Sequence, residues 1–429
     1  MIALASRAAA IPFFRFGAAD ADDVQALGIV AGGLIFDSGE ADPTFAHRCQ
    51  DRYLSYTGLA GLRTVFLVAD ERHAQHYRGL VARHAERYAL IARRTGALPV
   101  DAIREPLYVA CDLAAMRLRP CATFERQVAE LDPAGPVQFQ FNQISPTTAR
   151  LAVQLDDMLA ARGVATSFDR SACHAAGALA LYFHDKANAA GFVRGDTTRT
   201  LPPHVETAFL SPAELLRVRS WDELTALYGE RSGDLWAPAA LFVKSSRDSG
   251  GNVAARLEPA TFGERFGELR DAVAREVLGE GLDAPACVAQ LRAEIELAPS
   301  LRGLAYDDET LAAFARGRGA LRGGITMLVQ RAIAGPLQTR RFRAIGMTYA
   351  IDGPDRITPV AVAAQTYKDA DRRHFAGSLL DDDLAHVLPA GLQASVELLC
   401  ARFAGVGYSG PINFDACLDG DDRYVLIHD

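Results

Sequence analysis

The stretch Leu241–Leu257 constrains the fold more than any other. It reads Leu-Phe-Val-Lys-Ser-Ser-Arg-Asp-Ser-Gly-Gly-Asn-Val-Ala-Ala-Arg-Leu. Strand-favouring apolar residues lead into Lys244, a small polar loop ends in Ser249-Gly250-Gly251, and a second apolar segment follows. Two short strands joined by a glycine-containing loop make a hairpin. Small residues let backbone N–H groups approach a ligand closely, and a phosphate takes such donors together with a nearby cation. An ordinary hairpin with a solvated Lys244 is the competing reading. The lysine precedes the glycines, so this is not a Walker A loop, in which the glycines come first.

The chain around this hairpin has 429 residues, enough for two or three domains and a large core. Its net charge of −8 argues against nucleic-acid binding driven by bulk electrostatics. Seven cysteines are scattered without a Cys-x-x-Cys pair, which points to reduced thiols and a cytoplasmic setting. No uninterrupted apolar run is long enough to span a membrane. The apolar N-terminus, Met1 to Phe16, lacks a basic region ahead of its apolar part. It therefore reads as a buried first strand rather than a signal peptide.

Up to about residue 165 the pattern is α/β. Arg63–Asp70 reads as a buried strand, followed by a helix to about Arg94. Pro136–Gln143 reads as another strand, and Ser145-Pro146 starts a helix that Gly163 stops. Strand–helix alternation predicts a parallel sheet. His73, His76 and His84 are spaced to share a helix face, but no further zinc ligand accompanies them, so solvated or capping histidines are expected. Ser211-Pro212-Ala213-Glu214 opens a helix with an N-cap, a proline and an acid at the third position. From 259 to 320 the pattern is helical and charged. Strands are expected over Ile325–Ile333, from Arg340 to Tyr349 and over Ile357–Gln365, with an amphipathic helix over Leu392–Phe403. The sequence closes on a hairpin running from Gly410 through the Asp419–Asp422 turn to Asp429. Gly405-Val406-Gly407-Tyr408-Ser409-Gly410 fits a dinucleotide fingerprint by letter only. It follows a helix and opens a strand, the reverse of the required context, and is expected to be a helix C-terminal turn.

In order and approximate spacing, Lys186 in Phe183-His184-Asp185-Lys186, the Lys244 hairpin, the Val329-Gln330 strand end and the acidic terminal hairpin resemble the ATP-grasp superfamily over about residues 180 to 429. Gln365-Thr-Tyr-Lys-Asp, the His-Phe-Ala-Gly-Ser run ending at Ser378, and Gly410–Asp415 look like peptide ligases of the pheganomycin type, from peptide-antibiotic biosynthesis. The resemblance implies an α/β chain (α+β in its catalytic part). Residues 1–168 would form a pre-ATP-grasp domain and 169–429 the catalytic domain. Within the latter, a nucleotide-lid subdomain would span about 186–330 and a metal-site subdomain about 331–429. It implies ATP and Mg²⁺, with Lys186, Lys244, Ser246, Ser249, Gly250 and Gly251 on the phosphates. Gln330, Arg331, Ala332 and Ile333 would line the adenine pocket, and Asp415 and Asp429 would hold the metal. It also implies carboxylate and amine substrates, small molecules or peptides, and admits a homodimer; nucleic acid and membrane are not expected partners. The family closes its metal site with an acid, any residue, then Asn, followed shortly by Arg. Here Asp429 stands where the acid stands and no Asn or Arg follows, so either the site is incomplete or the natural chain continues.

The chemistry implied is amide formation. A carboxylate is a poor partner for an amine until a phosphoryl group from ATP turns it into an acyl phosphate. Lysines, Mg²⁺ and backbone donors neutralise the moving charge, and a covering loop keeps water out. Arg341 and Arg343 alternate with Phe342 and so share a strand face. One of them gripping a substrate carboxylate and a surface salt-bridge face are equally weighted readings. Two other classes stay open: a nucleotide-binding scaffold without turnover, and a phosphotransferase that stops at the phosphorylated acceptor.

Overall fold

The computed structural model describes residues 14–16, 25–30, 62–68, 70–95, 105–112, 115, 117–131, 137–141, 144–194, 205–234, 237–247, 253–277, 325–333, 344–367, 375–380, 390–418 and 424–427, with short pieces between 285 and 312. The fold is α/β. The described residues fall into two compact units. The first takes those up to Leu181 and those between Asp283 and Leu321, and the second those from Tyr182 to Leu282 and from Arg322 onward.

The first unit is built on six strands: β1 (Phe14–Phe16), β2 (Gln25–Val30), β3 (Leu62–Val68), β4 (Leu107–Asp112), β5 (Arg117–Arg119) and β6 (Val137–Phe141). Their order is β1-β6-β2-β3-β4-β5. The four inner strands are parallel, as the strand–helix alternation predicts, but both edge strands run antiparallel. For β5 the cause is chain length. The few residues between Asp112 and Arg117 allow a turn, whereas a parallel crossover needs a dozen or more. Val65, Phe66, Leu67 and Val68 are all buried, which a strand covered on both faces requires. Helix α1 (Glu71–Thr95) turns Ala74, Tyr77 and Val81 toward Phe66, Val68 and Tyr108.

The helices α2 (Ala122–Ala129) and α3 (Pro146–Ala160) also belong to this unit. α3 starts where the sequence places it. Ser145 Oγ accepts from Thr148 N at 3.1 Å, and Pro146 stands in the first turn. It also stops as expected. Gly163 takes φ +75°, its N–H bonds Ala160 O and the next N–H bonds Leu159 O, the left-handed ending that favours glycine. His76 is half-buried, and no cluster of three metal-capable side chains occurs among the described residues.

The second unit holds two antiparallel sheets. One has the order β7-β10-β8-β9, from β7 (Thr207–Leu210), β8 (Leu241–Ser245), β9 (Ala254–Leu257) and β10 (Met327–Arg331). Its apolar face packs Leu241, Val243, Leu257, Met327 and Val329 against Leu224 and Tyr228 of α7 (Trp221–Ser232) and Phe266 and Leu269 of α8 (Phe262–Ala272). α6 (Pro212–Arg217) has the capping box read from Ser211 and Glu214. The other sheet has the order β13-β12-β11-β14-β15. Its strands are β11 (Ala344–Ile351), β12 (Ile357–Tyr367), β13 (Phe375–Leu380), β14 (Gly410–Leu418) and β15 (Tyr424–Ile427). Helix α9 (Ala390–Gly405) packs on β11 and β12 and buries Val396, Leu399, Cys400 and Phe403. Its ending is the turn expected at Gly407, with φ +91° and Tyr408 N bonded to Phe403 O at 3.0 Å.

Candidate functional site

Side chains alternate across a strand, so β8 divides into two sets. Leu241 and Val243 enter the apolar core, while Phe242 and Lys244 take the opposite face. On β10 the division is the same: Met327 and Val329 go to the core, and Leu328 and Gln330 share the face of Lys244. The pairing of β7 adds Phe209 beside Leu328 and Thr207 beside Gln330. This second face is therefore mixed, with apolar Phe209, Phe242 and Leu328 among Lys244, Gln330 and Thr207. Lys244 is 4% exposed, so the reading of it as a solvated lysine is overturned. Its ammonium lies 5.9 Å from the Phe242 ring centroid, within the range of a cation–π contact. Gln330, also buried, donates from Nε2 to Thr207 Oγ1 at 3.0 Å, and Thr207 passes a hydrogen bond to Val205 O at 2.9 Å.

Lys186 stands where helix α4 (Arg170–His184) gives way to α5 (Lys186–Arg194). Asp185, between them, accepts from Ala187 N at 3.0 Å and so caps α5. Its other oxygen takes Arg247 Nε at 2.9 Å. Lys186 N donates to Ser246 O at 2.9 Å. The junction is thus tied by a backbone bond and an ion pair to the residues leaving β8, which fixes Lys186 relative to the strand carrying Lys244. Ser246 is fully buried and anchored on its other side too. Its N–H bonds Thr326 O at 2.8 Å, and its Oγ accepts from Thr326 N at 3.2 Å. Its backbone N–H is committed, so only its hydroxyl hydrogen is left to offer a phosphate. His184 lies beside this junction. Burial, then the positive charges of Lys186 and Arg247, push its imidazole down to about 4 against the opposing pull of Asp185. It is neutral at pH 7.

The same junction reaches the α9 layer. Phe183 meets Phe403 edge-on, with centroids 4.7 Å apart, and Phe192 lies 4.9 Å from Phe403. Arg402 sits 5.0 Å over the Phe192 ring and donates to Phe192 O at 3.2 Å.

The five-stranded sheet is also two-faced. Ile345, Met347, Tyr349 and Ala416 turn to α9 and are buried. The other face carries Gly346, Thr348, Gln365, Asn413 and Asp415, by register and alternation. Asp415 pairs with Gly346 across β11 and β14, and Asn413 with Thr348. Asn413 Nδ2 donates to Asp415 Oδ1 at 2.7 Å, while Thr348 Oγ donates to Asn413 Oδ1 at 3.1 Å. A Cβ on Gly346 would lie 3.2 Å from both Asn413 Oδ1 and Asp415 Oδ1, and 3.5 Å from Gln365 Nε2. Three polar side chains thus converge over a strand residue that has no side chain. Two of the three atoms facing Gly346, Asn413 Oδ1 and Asp415 Oδ1, are hard oxygen donors and one of them is anionic, which suits a small divalent cation that takes one or two protein ligands with phosphate and water completing its shell.

Of the residues singled out in the sequence, Lys244 and Gln330 share one sheet face, and Lys186 and Ser246 are tied at its end. Arg331 is exposed, while Ala332 and Ile333 are half-buried just past β10, where Ala332 N bonds Ala240 O at 3.0 Å. Asp415 lies on the polar face of the other sheet. Ser249, Gly250, Gly251, Arg341, Arg343 and Asp429 lie outside the described residues, as do the side chains of His73 and His84. Sequence reading missed Asp185 as the link to Arg247, Thr207 as the partner of Gln330, and the Thr348–Asn413 pair. Only Asn413 carried a usable signal, since two residues apart on a strand means one face.

No protein-family model and no curated protein matches the chain. Among solved structures, it is similar to biotin carboxylase from Campylobacter jejuni, at 12% identity and a TM-score of 0.40 over 94% of this chain and 64% of that one. It is similar to an L-amino acid ligase from Bacillus licheniformis at 13% identity and a TM-score of 0.40, covering 95% of this chain and 68% of that one. A third likeness is to D-alanyl-alanine synthetase A from Vibrio cholerae, at 10% identity and a TM-score of 0.37, covering 95% and 89%. The chain thus spans less than two thirds of the biotin carboxylase chain. At these scores the likenesses decide neither family nor reaction.

Proposed function

We propose that the chain is an ATP-dependent carboxylate–amine ligase of the ATP-grasp kind, acting on small-molecule or peptide substrates in peptide natural-product synthesis. The observation that carries the reading is Lys244 buried on the mixed face of its sheet, with Gln330 on the same face and Lys186 bonded to Ser246 at the end of the same strand. A flat apolar surface edged by a hydrogen-bonding amide suits a purine base, and lysines at its end suit phosphates. In this reading residues 169–429 are catalytic and 1–168 form the preceding domain. Lys186, Lys244, Ser246 and, outside the described residues, Ser249, Gly250 and Gly251 meet the phosphates. Gln330 to Ile333 border the base. Asp415, with Asp429, holds Mg²⁺, which when bound supplies charge neutralisation at the phosphates.

In the reaction proposed, a substrate carboxylate oxygen attacks the γ-phosphorus and the bond to the β-phosphate oxygen breaks, giving ADP and an acyl phosphate. The amine then attacks the acyl carbon, inorganic phosphate leaves, and the nitrogen loses a proton to water. Lys186 and Lys244 stabilise charge on the phosphoryl oxygens, and Arg341 or Arg343 grips the carboxylate. The free thiols of Cys111, Cys121, Cys173, Cys400 and Cys417 suit a cytoplasmic enzyme.

The test is ADP release from ATP with panels of amino acids and peptides as acid and amine, with products weighed by mass spectrometry. ADP formation that needs both partners and yields an amide is the expected result. A phosphorylated acceptor as the end product would make the protein a phosphotransferase, and ATP binding without ADP formation would make it a scaffold.

A further inference from the structure

The polar face over Gly346 is built in a way that the metal reading of Asp415 does not by itself require. Asn413 is one direct cross-strand partner of Thr348, and Asp415 is that of Gly346, so the four residues form two same-face rungs of the β11–β14 ladder, with the Met347–Phe414 rung between them. The hydrogen bonds run in one direction. Thr348 Oγ donates to Asn413 Oδ1 at 3.1 Å, and Asn413 Nδ2 donates to Asp415 Oδ1 at 2.7 Å. This order fixes the amide. With its two ends exchanged, the Asn413 oxygen would face a carboxylate oxygen and its NH₂ would face the threonine. Gly346 then explains how Asn413 and Asp415 can lean over the strand, since a methyl group there would stand 3.2 Å from each of their oxygens.

We propose that Asn413, anchored by Thr348 and given room by Gly346, is a positioning residue that sets the Asp415 carboxylate for a divalent cation. The proposal rests on the reading of Asp415 as a metal ligand. A half-buried carboxylate on a strand face can take more than one rotamer, and a ligand pre-set by a charge-assisted hydrogen bond loses less freedom when the ion arrives. Thr348 acts one step further out, by anchoring the far end of the Asn413 amide with its hydroxyl, while the acceptor-only Asp415 carboxylate decides which end faces it.

The experiment is a Mn²⁺ titration followed by electron paramagnetic resonance, on the full chain with saturating ADP, alongside ADP affinity measured in excess chelator. Asn413→Ala is expected to weaken Mn²⁺ about ten- to a hundredfold, the usual loss on removing a partner of a metal ligand. Thr348→Val is expected to weaken it about fivefold, on the scale of one neutral hydrogen bond, and Thr348→Ser to restore it. Gly346→Ala is expected to weaken it as well, because the atoms met are side-chain tips that can shift without unfolding the sheet. Chelator-measured ADP affinity should stay at the wild-type value in all four. Mn²⁺ bound normally by Asn413→Ala but lost in Asp415→Asn would overturn the positioning role alone. Equal losses of ADP affinity without metal would show a merely structural role and overturn it too. Normal Mn²⁺ binding by Asp415→Asn would sink the metal assignment itself and this proposal with it. Wild-type protein taking neither ADP nor Mn²⁺ would remove the ligase reading and, with it, this one.

Discussion

At the scale of single residues, alternation along a strand decides what each side chain can do. Lys244 is one residue from Val243, and that step takes it from the apolar core to the face it shares with Gln330. His184 makes a second point. Its imidazole is held near 4, well below the ordinary 6.5, by burial and by the cations beside it. A histidine with a lowered folded pKa binds protons more readily when unfolded, so it destabilises the fold as pH drops through 6.5 toward about 4. The urea midpoint of the wild type should therefore fall more between pH 7 and pH 5 than that of His184→Gln. Equal falls would show that His184 is not held neutral. The sequence displayed Lys244 because a lysine beside a small polar loop is visible as such, whereas Lys186 came only from the resemblance to a known family. It did not display His184 or Asp185 in these roles, because their partners, Arg247 above all, are some sixty residues away, and long-range partners leave no local pattern.

At the scale of elements, the legible parts are those set by local rules. The Ser145 and Ser211 caps, the Gly163 and Gly407 endings and the α9 stripe all follow from residues within one or two turns. The β8–β9 hairpin was readable for the same reason. The place of β10 between β7 and β8 was not, since about seventy residues separate it from β9. Nor was the contact between α4 and the start of α3. There a Cβ on Gly177 would lie 2.8 Å from Ser145 O and 2.9 Å from Ser145 C. Those are backbone atoms at a capped helix start and cannot move aside cheaply. Gly177→Ala should therefore destabilise the protein by about 1–3 kcal/mol through overpacking, although alanine alone would favour the helix by about 1 kcal/mol. Chemical denaturation of that variant decides the matter. A gain in stability would mean that α4 is free to back away from α3.

At the scale of the whole chain, the described residues divide into a unit with a largely parallel sheet and a unit with two antiparallel sheets. The described phosphate, base and metal candidates all lie in the second: Lys186, Lys244, Ser246, Gln330 and Asp415. That clustering was legible as an order of motifs along the sequence. The Asn413–Thr348 bond and the cradle over Gly346 were not, because they depend on the register of strands some sixty-five residues apart. No described helix is long and apolar enough to cross a membrane. The central claim is that the Lys244 face holds the nucleotide. An equilibrium titration of wild type and Lys244→Ala with ATP in the presence of Mg²⁺ tests it most directly. The account predicts saturable binding by the wild type and an affinity at least about tenfold weaker in the variant, the scale of one charge-assisted contact to phosphate. Indistinguishable affinities in the two proteins, or no binding by either, would contradict it.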